Sequence, residues 1–254
     1  MNKRIAVMLL AASLLFAGCA TKDPGPTQPP VPMPITSITT THPDGTVERM
    51  EQVYDDNGIM IKANHYAGEK LVVSYNVVCD SEGRTKKMSD DTFGSGISME
   101  YTYNADGTTQ KIETKLNGAT FFTQSYTYYE NGEKATYKEE DTRSSTTIEY
   151  KYIYEEGVMR WEECYENGEL AFSWEYTYNE NGKRVAGTLR DSNFMLDGSR
   201  EYRYEEAVTT VTTYDVEGAV RNVKAAYYNS DGSVAKETFT EGDETTVTEY
   251  TYRQ

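Results

Sequence analysis

After Gly45, apolar and polar side chains alternate with a period of two through most of the chain. Met99, Tyr101 and Tyr103 fall on one side, and Ser98, Glu100 and Thr102 on the other. The same rows recur as Ile148, Tyr150, Tyr152 and Tyr154, as Phe172, Trp174, Tyr176 and Tyr178, and as Val73, Tyr75, Val77 and Cys79. A period of two with one polar face predicts antiparallel strands covered on one side. The segments are rich in Thr, Tyr, Val, Ile and Phe, which suit a pleated, half-buried surface. Beyond the N-terminal apolar run, no stretch sustains the helical period.

Glycines punctuate these rows at a fixed beat. Gly58, Gly83, Gly107, Gly132, Gly157, Gly182 and Gly232 recur about every 25 residues, with Ala207 in the one vacant slot. A looser series follows about halfway between them: Gly68, Gly94 or Gly96, Gly118, Gly168, Gly218 and Gly242. Each repeat therefore holds two turns and two short segments, which is a β-hairpin. The expectation is an all-β, antiparallel repeat meander of about 17 strands, built from tandem hairpins in one curled or rolled sheet. Laid flat at about 4.8 Å per strand it would run roughly 80 Å. Twist makes sheets of that size coil, roll up or split. The pattern does not choose between an open, a spiral and a closed sheet.

Upstream, the chain divides into residues 1–18, a secretory signal, residues 19–43, a proline-rich linker headed by Cys19, and residues 44–254, the repeat domain. Lys3 and Arg4 precede an apolar run too short to anchor stably in a bilayer. Leu15-Phe16-Ala17-Gly18-Cys19 resembles the lipobox of bacterial lipoproteins, although Phe16 stands where that family usually has leucine. The resemblance implies lipidation of Cys19 and an outer-membrane location, on the periplasmic side or at the cell surface. Ala20 occupies the position where aspartate would imply inner-membrane retention. All seven prolines lie between Pro24 and Pro43. Such a stretch favours extended polyproline II and works as a spacer.

The formal net charge is −16, and signal cleavage makes it more negative by removing Lys3 and Arg4. This balance repels phosphate backbones and argues against a nucleic-acid partner. No cofactor is implied. The face opposite the tyrosines carries Lys, Glu and Thr throughout, which argues against a lipid-facing barrel wall.

Candidate chemistry is sparse. Asp55-Asp56-Asn57-Gly58, Asn104-Ala105-Asp106-Gly107 and Asn229-Ser230-Asp231-Gly232 superficially resemble calcium loops. They lack the bidentate glutamate that an EF-hand needs, and Asn or Asp before Gly is also ordinary turn chemistry. His42 and His65 lie in no nucleophile or metal motif. Trp161, out of phase with the tyrosine column, and Trp174 are the candidate ligand contacts. Carboxylates are abundant, but none is singled out as half of a glycosidase pair. Cys79 and Cys164 lie about seven strand steps apart, roughly 33 Å in an open sheet. That separation is beyond disulfide reach.

Tyr-x-Tyr followed by a polar turn and glycine resembles the YD repeats of bacterial RHS-type proteins. The phrase Tyr128-Tyr129-Glu130-Asn131-Gly132 is also similar to MORN-type repeats. Matching pairs are Tyr54/Gly58, Tyr103/Gly107, Tyr128/Gly132, Tyr154/Gly157, Tyr178/Gly182 and Tyr228/Gly232; Cys79 replaces the tyrosine before Gly83. In large RHS proteins such hairpins spiral into a shell around a toxin. Here the repeats end at Tyr250-Thr251-Tyr252-Arg253-Gln254, and eight hairpins are too few for that shell, so the toxin role is not expected. The expected function is a lipid-anchored, non-enzymatic envelope module, structural or binding, with a protein or polysaccharide partner. The alternatives are a dedicated glycan-binding surface lipoprotein and a carboxylate-pair glycoside hydrolase.

Overall fold

A computed structural model describes residues 34–92 and 94–253. The first strands are β1 (Ile35–Thr41), β2 (Val47–Tyr54), β3 (Met60–Ala67), β4 (Lys70–Cys79), β5 (Thr85–Asp90) and β6 (Ile97–Tyr103). They are followed by β7 (Thr109–Leu116), β8 (Ala119–Tyr128), β9 (Lys134–Asp141), β10 (Thr146–Glu155), β11 (Val158–Glu166) and β12 (Glu169–Tyr178). The last are β13 (Arg184–Asp191), β14 (Leu196–Glu205), β15 (Val208–Tyr214), β16 (Val220–Tyr228), β17 (Val234–Glu241) and β18 (Glu244–Tyr252). Each strand pairs antiparallel with the next, so the meander of hairpins stands as the alternation predicts. The sheet then closes: Ile38 of β1 pairs with Met50 of β2 on one side and with Tyr250 of β18 on the other.

The strands number 18, against about 17 expected. The additional strand, β1, comes from the segment 35–41 that the prolines on either side assign to the linker. Its sequence, Ile-Thr-Ser-Ile-Thr-Thr-Thr, is rich in β-branched residues, and it bonds on both sides. Of the open, spiral and closed sheets that the pattern allows, the structure shows the closed one. Eight hairpins plus this closing pair suffice for a complete ring, which removes both exposed edges.

The rows of tyrosine and aliphatic residues share one face around the whole ring. The register carries it from Tyr250 through Ile38, Met50, His65 and Val73, and onward through Val77, Met88, Met99, Thr114 and Phe122. Side chains converge on a concave face and splay on a convex one. Met88 and Met99 are 1% exposed and Tyr176 2%, whereas Val78, on the opposite face, is 53% exposed. The tyrosine face is therefore the inner wall. Through β3 to β7 that wall is an apolar cluster of Ala63, Val73, Tyr75, Val77, Met88, Met99, Tyr101 and Ile112. A smaller cluster around Trp174, Tyr176 and Leu189 holds the far side.

The two glycine series mark the two ends. Because turns alternate between ends, Gly58, Gly83, Gly107, Gly132, Gly157, Gly182 and Gly232 all fall on one rim. Both described termini meet there, where the Arg253 N–H donates to the Pro34 carbonyl at 2.9 Å. This is the entry rim. Gly45, Gly68, Gly118, Gly168, Gly218 and Gly242 fall on the far rim.

Candidate functional site

The repeat tyrosines do two jobs, and their spacing explains both. The last residue of a repeat's second strand sits at a bulge beside the entry rim, as at Val53/Tyr54, Thr102/Tyr103, Thr127/Tyr128 and Thr177/Tyr178. A bulge re-aims the side chain. Each hydroxyl then reaches back about one strand and donates to a backbone carbonyl. Tyr54 bonds Ile35 at 2.8 Å, Tyr103 bonds Thr85 at 2.7 Å, Tyr128 bonds Thr109 at 2.9 Å and Tyr252 bonds Val234 at 2.7 Å. Tyr178 makes the same latch to Met159 at 2.5 Å. Cys79, which replaces this tyrosine, keeps the contact: its Sγ lies 3.4 Å from the Met60 carbonyl.

The tyrosine two residues earlier faces the preceding strand's side chains. Tyr176 donates to Glu162 at 2.8 Å, and Tyr250 donates to Glu237 at 2.7 Å. Tyr137 donates to Glu139, and Gln124 donates to the Tyr137 oxygen at 2.6 Å. Burial, reinforced by these carboxylates, pushes the hydroxyls of Tyr137, Tyr176 and Tyr250 up. Burial is also the leading cause at Tyr150 and Tyr154, which are pushed up to about 12. At neutral pH all of them remain protonated donors. The inner-wall carboxylates Glu139, Glu162 and Glu237 are thus occupied in holding tyrosines.

Cations complete the wall between β12 and β14. The Arg184 guanidinium lies 3.9 Å from the Tyr176 ring centroid, and Arg200 lies 3.9 Å from that of Trp174. Burial works against the Arg184 charge, but hydrogen bonding and charge coupling to Tyr178 and Tyr202 hold its pKa above the ordinary value. Gly187 makes this packing possible. A Cβ there would come within 3.1 Å of Tyr176 and 3.2 Å of Trp174.

The structure places the two candidate tryptophans on opposite faces. Trp174 is on the inner wall, 4% exposed and stacked on Tyr176 at 6.3 Å. Trp161 is half-buried on the convex face, opposite Glu175. They do not form one platform. Cys79 and Cys164 are free, seven strands apart around the ring, and burial raises both thiols. Cys19 and residues 1–33 lie outside the described residues.

The turn carboxylates that resemble calcium ligands serve their own turns. Asp55 Oδ1 accepts from the Asn57 and Ile59 N–H groups at 3.0 and 2.8 Å. Asp106 Oδ1 accepts from the Thr108 hydroxyl and N–H, and Asp231 Oδ1 does the same for Ser233. Among the described residues, no group of three His, Cys, Asp or Glu side chains is arranged to hold a metal ion.

One constellation is absent from the sequence reading. His42 and His65 both approach Glu48, with Nε2–Oε2 distances of 3.9 and 3.7 Å. The sequence separates them by 23 positions, and the β1–β2–β3 register brings them together at the far rim. His65 is 6% exposed and its Nδ1 has no hydrogen-bond partner among the described residues; nor has the Tyr75 hydroxyl nearby. Both line a hollow with Met50, Ala63, Met88 and Met99 that is too tight for a water molecule.

The convex face carries the charge. Glu100 bridges Lys87 and Lys115 at 3.3 and 2.5 Å, and Arg49–Glu51, Lys138–Glu140 and Arg190–Glu175 pair elsewhere around the ring. Among the described residues, no helix is long and apolar enough to cross a membrane.

No family model and no curated protein matches the chain. Among solved structures, it is similar to a Photorhabdus luminescens Tc holotoxin pore, at 11% identity and a TM-score of 0.45, covering 79% of this chain and 12% of that one. It is also similar to a porin-like protein from Bacteroides uniformis, at 9% identity and a TM-score of 0.32, covering 89% of this chain and all of that one. A porin-like protein from Bacteroides vulgatus matches at 8% identity and a TM-score of 0.35, covering 87% of this chain and 99% of that one. The chain thus spans about an eighth of the length of the toxin it resembles, and none of these likenesses assigns it an activity.

Proposed function

We propose that this chain is a lipid-anchored, non-catalytic module of the bacterial outer membrane. On this reading the barrel stands in water beside the bilayer on its proline spacer and serves as a structural or binding element. The observation that carries the reading is the distribution of charge on the closed ring. Paired Lys, Arg and Glu side chains cover the convex face, where a membrane-spanning barrel needs an apolar band. The lipobox at Leu15–Cys19 then supplies the attachment, and entry of the chain at Pro34 orients the barrel. A non-catalytic role is supported by Glu139, Glu162 and Glu237 of the inner wall, which are committed to tyrosine hydroxyls. The test is membrane fractionation with fatty-acid labelling. Wild type should label and sediment with outer membranes, and Cys19→Ser should lose both properties. Unlabelled, soluble wild-type protein would refute the anchor.

A second reading, glycan recognition, is favoured by the half-buried Trp161 on the convex face. Saturable quenching of its fluorescence by an envelope polysaccharide, abolished in Trp161→Phe, is the expected result. Silence across a broad panel removes this reading.

A further inference from the structure

Two neighbouring hairpins on the far rim break the rules of the rest of the barrel. The first joins β13 to β14 through Ser192, Asn193, Phe194 and Met195. Its backbone follows the glycine turns. The Phe194 N–H donates to the Asp191 carbonyl at 2.9 Å, and the Met195 N–H donates to Asp191 Oδ1 at 2.9 Å. Gly58 and Ile59 bond Asp55 in the same way. Phe194 therefore occupies a glycine slot, with φ of +61°. A bulky side chain in the left-handed region is strained. That strain is not offset by packing, because Phe194 is 61% exposed.

Its neighbours are equally bare. Met195 is 66% and Leu196 50% exposed. The adjacent hairpin, between β15 and β16, shows Val216 at 50% and Val220 at 56%. Six large apolar side chains are at least half exposed among the described residues, and five are these; the sixth is Val78. Arg221 ties the two hairpins together, donating to the Asp197 carbonyl at 3.1 Å and pairing with its carboxylate at 3.7 Å. An apolar cluster held this way on a charged protein marks an interaction surface.

The surroundings select the partner. Asp191, Asp197, Asp215 and Glu217 lie within the two hairpins. Glu166, Glu169, Glu241, Asp243 and Glu244 edge the same rim on the hairpins to either side, all of them exposed. The nearby cations, Arg190 and Arg221, are already paired with Glu175 and Asp197. An apolar tip inside an acidic collar complements apolar side chains flanked by Lys or Arg. The same collar disfavours an anionic lipid surface. The rim is also the one opposite Pro34, so a tether leaves it pointing away from the anchoring membrane.

We propose that Phe194, Met195, Leu196, Val216 and Val220 form the docking surface for a cationic, amphipathic segment of a partner protein. This rests on the reading of the chain as a binding module and names its partner class. The test uses the purified full chain and two labelled synthetic peptides of matched leucine content, one carrying lysine and the other glutamate at its polar positions. The lysine peptide should bind, more weakly as salt rises, and the glutamate peptide should not. The variant Phe194→Gly/Met195→Ser/Leu196→Ser should weaken lysine-peptide binding by at least about tenfold, while Val78→Ser leaves it unchanged. Circular dichroism melts confirm that both variants fold. Equal binding by the triple variant overturns the proposal. So does concentration-dependent self-association, or binding to phosphatidylcholine vesicles, that the triple variant abolishes. Neither result depends on Cys19, so loss of the anchor and loss of the docking surface are read separately.

Discussion

At the entry rim, turn after turn closes on glycine with φ between +73° and +88°, as at Gly58, Gly83, Gly107, Gly132, Gly157, Gly182 and Gly232. Beside each of several of these turns, a tyrosine hydroxyl or the Cys79 thiol latches onto the preceding strand. At the far rim the equivalent positions hold Ser145 at φ +56° and Phe194 at φ +61° among the glycines. That rim also gathers both histidines on Glu48 and the most exposed apolar side chains. One hairpin rule builds both ends; the entry rim departs from it once, at Ala207, whereas the far rim departs from it at Ser145 and at the bulky Phe194. The entry rim holds the register of the ring, through bonds that repeat with the sequence. Among the described residues, the far-rim turns carry no such tyrosine latch, so a departure from glycine there does not loosen the register.

Removing the strand on which the entry-rim latches begin should have the largest effect. Deleting residues 34–41 takes away β1 and leaves β2 and β18 with bare edges. Size-exclusion chromatography should show larger species than the full chain forms, and unchanged elution with unchanged melting would break the account of closure. Next, Gly107→Val forces a β-branched residue to φ +88° and should destabilise by about 1–3 kcal/mol, measured by denaturant unfolding. Tyr103→Phe removes one latch to Thr85 and should cost about 0.5–1.5 kcal/mol. Phe194→Gly should have the opposite sign, raising stability by up to about 1 kcal/mol as strain is released. A loss there would mean that Phe194 is held by packing and is not strained at φ +61°.

The smallest effect concerns what the rims share. Asp106 at the entry rim and Asp44 at the far rim both have carboxyls held below the ordinary aspartate value, first by side-chain hydrogen bonds from Thr108 and Thr46. A carboxyl depressed in the folded state stabilises above its unfolded pKa, and the contribution is lost as pH falls through the folded value. NMR titration should show Thr108→Val and Thr46→Val each moving its aspartate upward toward the ordinary value. A response at only one rim would show that their turn chemistry differs.

Much of this architecture is legible in the residues. The inner wall follows from alternation alone, since Val73, Tyr75 and Val77 must share a side. The two rims follow from the two glycine series, because successive turns lie at opposite ends. The phase of Trp161 also separates it from Trp174, as the parity of β11 and β12 then shows. The latch was hidden because a tyrosine on an apolar row reads as core, and only the bulge shows where its hydroxyl goes. The equivalence of Cys79 to those tyrosines is marked in the sequence by its place before Gly83, but not by its chemistry. The meeting of His42 and His65 on Glu48 depends on register across three strands and has no local signal.

The chain by itself determined the hairpin, its period, its buried face and the places where glycine is required. Those are short-range consequences of side-chain alternation and backbone sterics, settled within about 25 residues. Closure was decided only by tertiary structure. It joins Ile38 to Tyr250, more than 200 residues apart, through a strand that local proline content assigns to a linker. Twist accumulated over the hairpins brings β18 back to β1, and the bonds made there satisfy the edges that an open sheet would leave bare. The strained and exposed Phe194 likewise gains its meaning only from the neighbouring hairpin that the ring sets beside it.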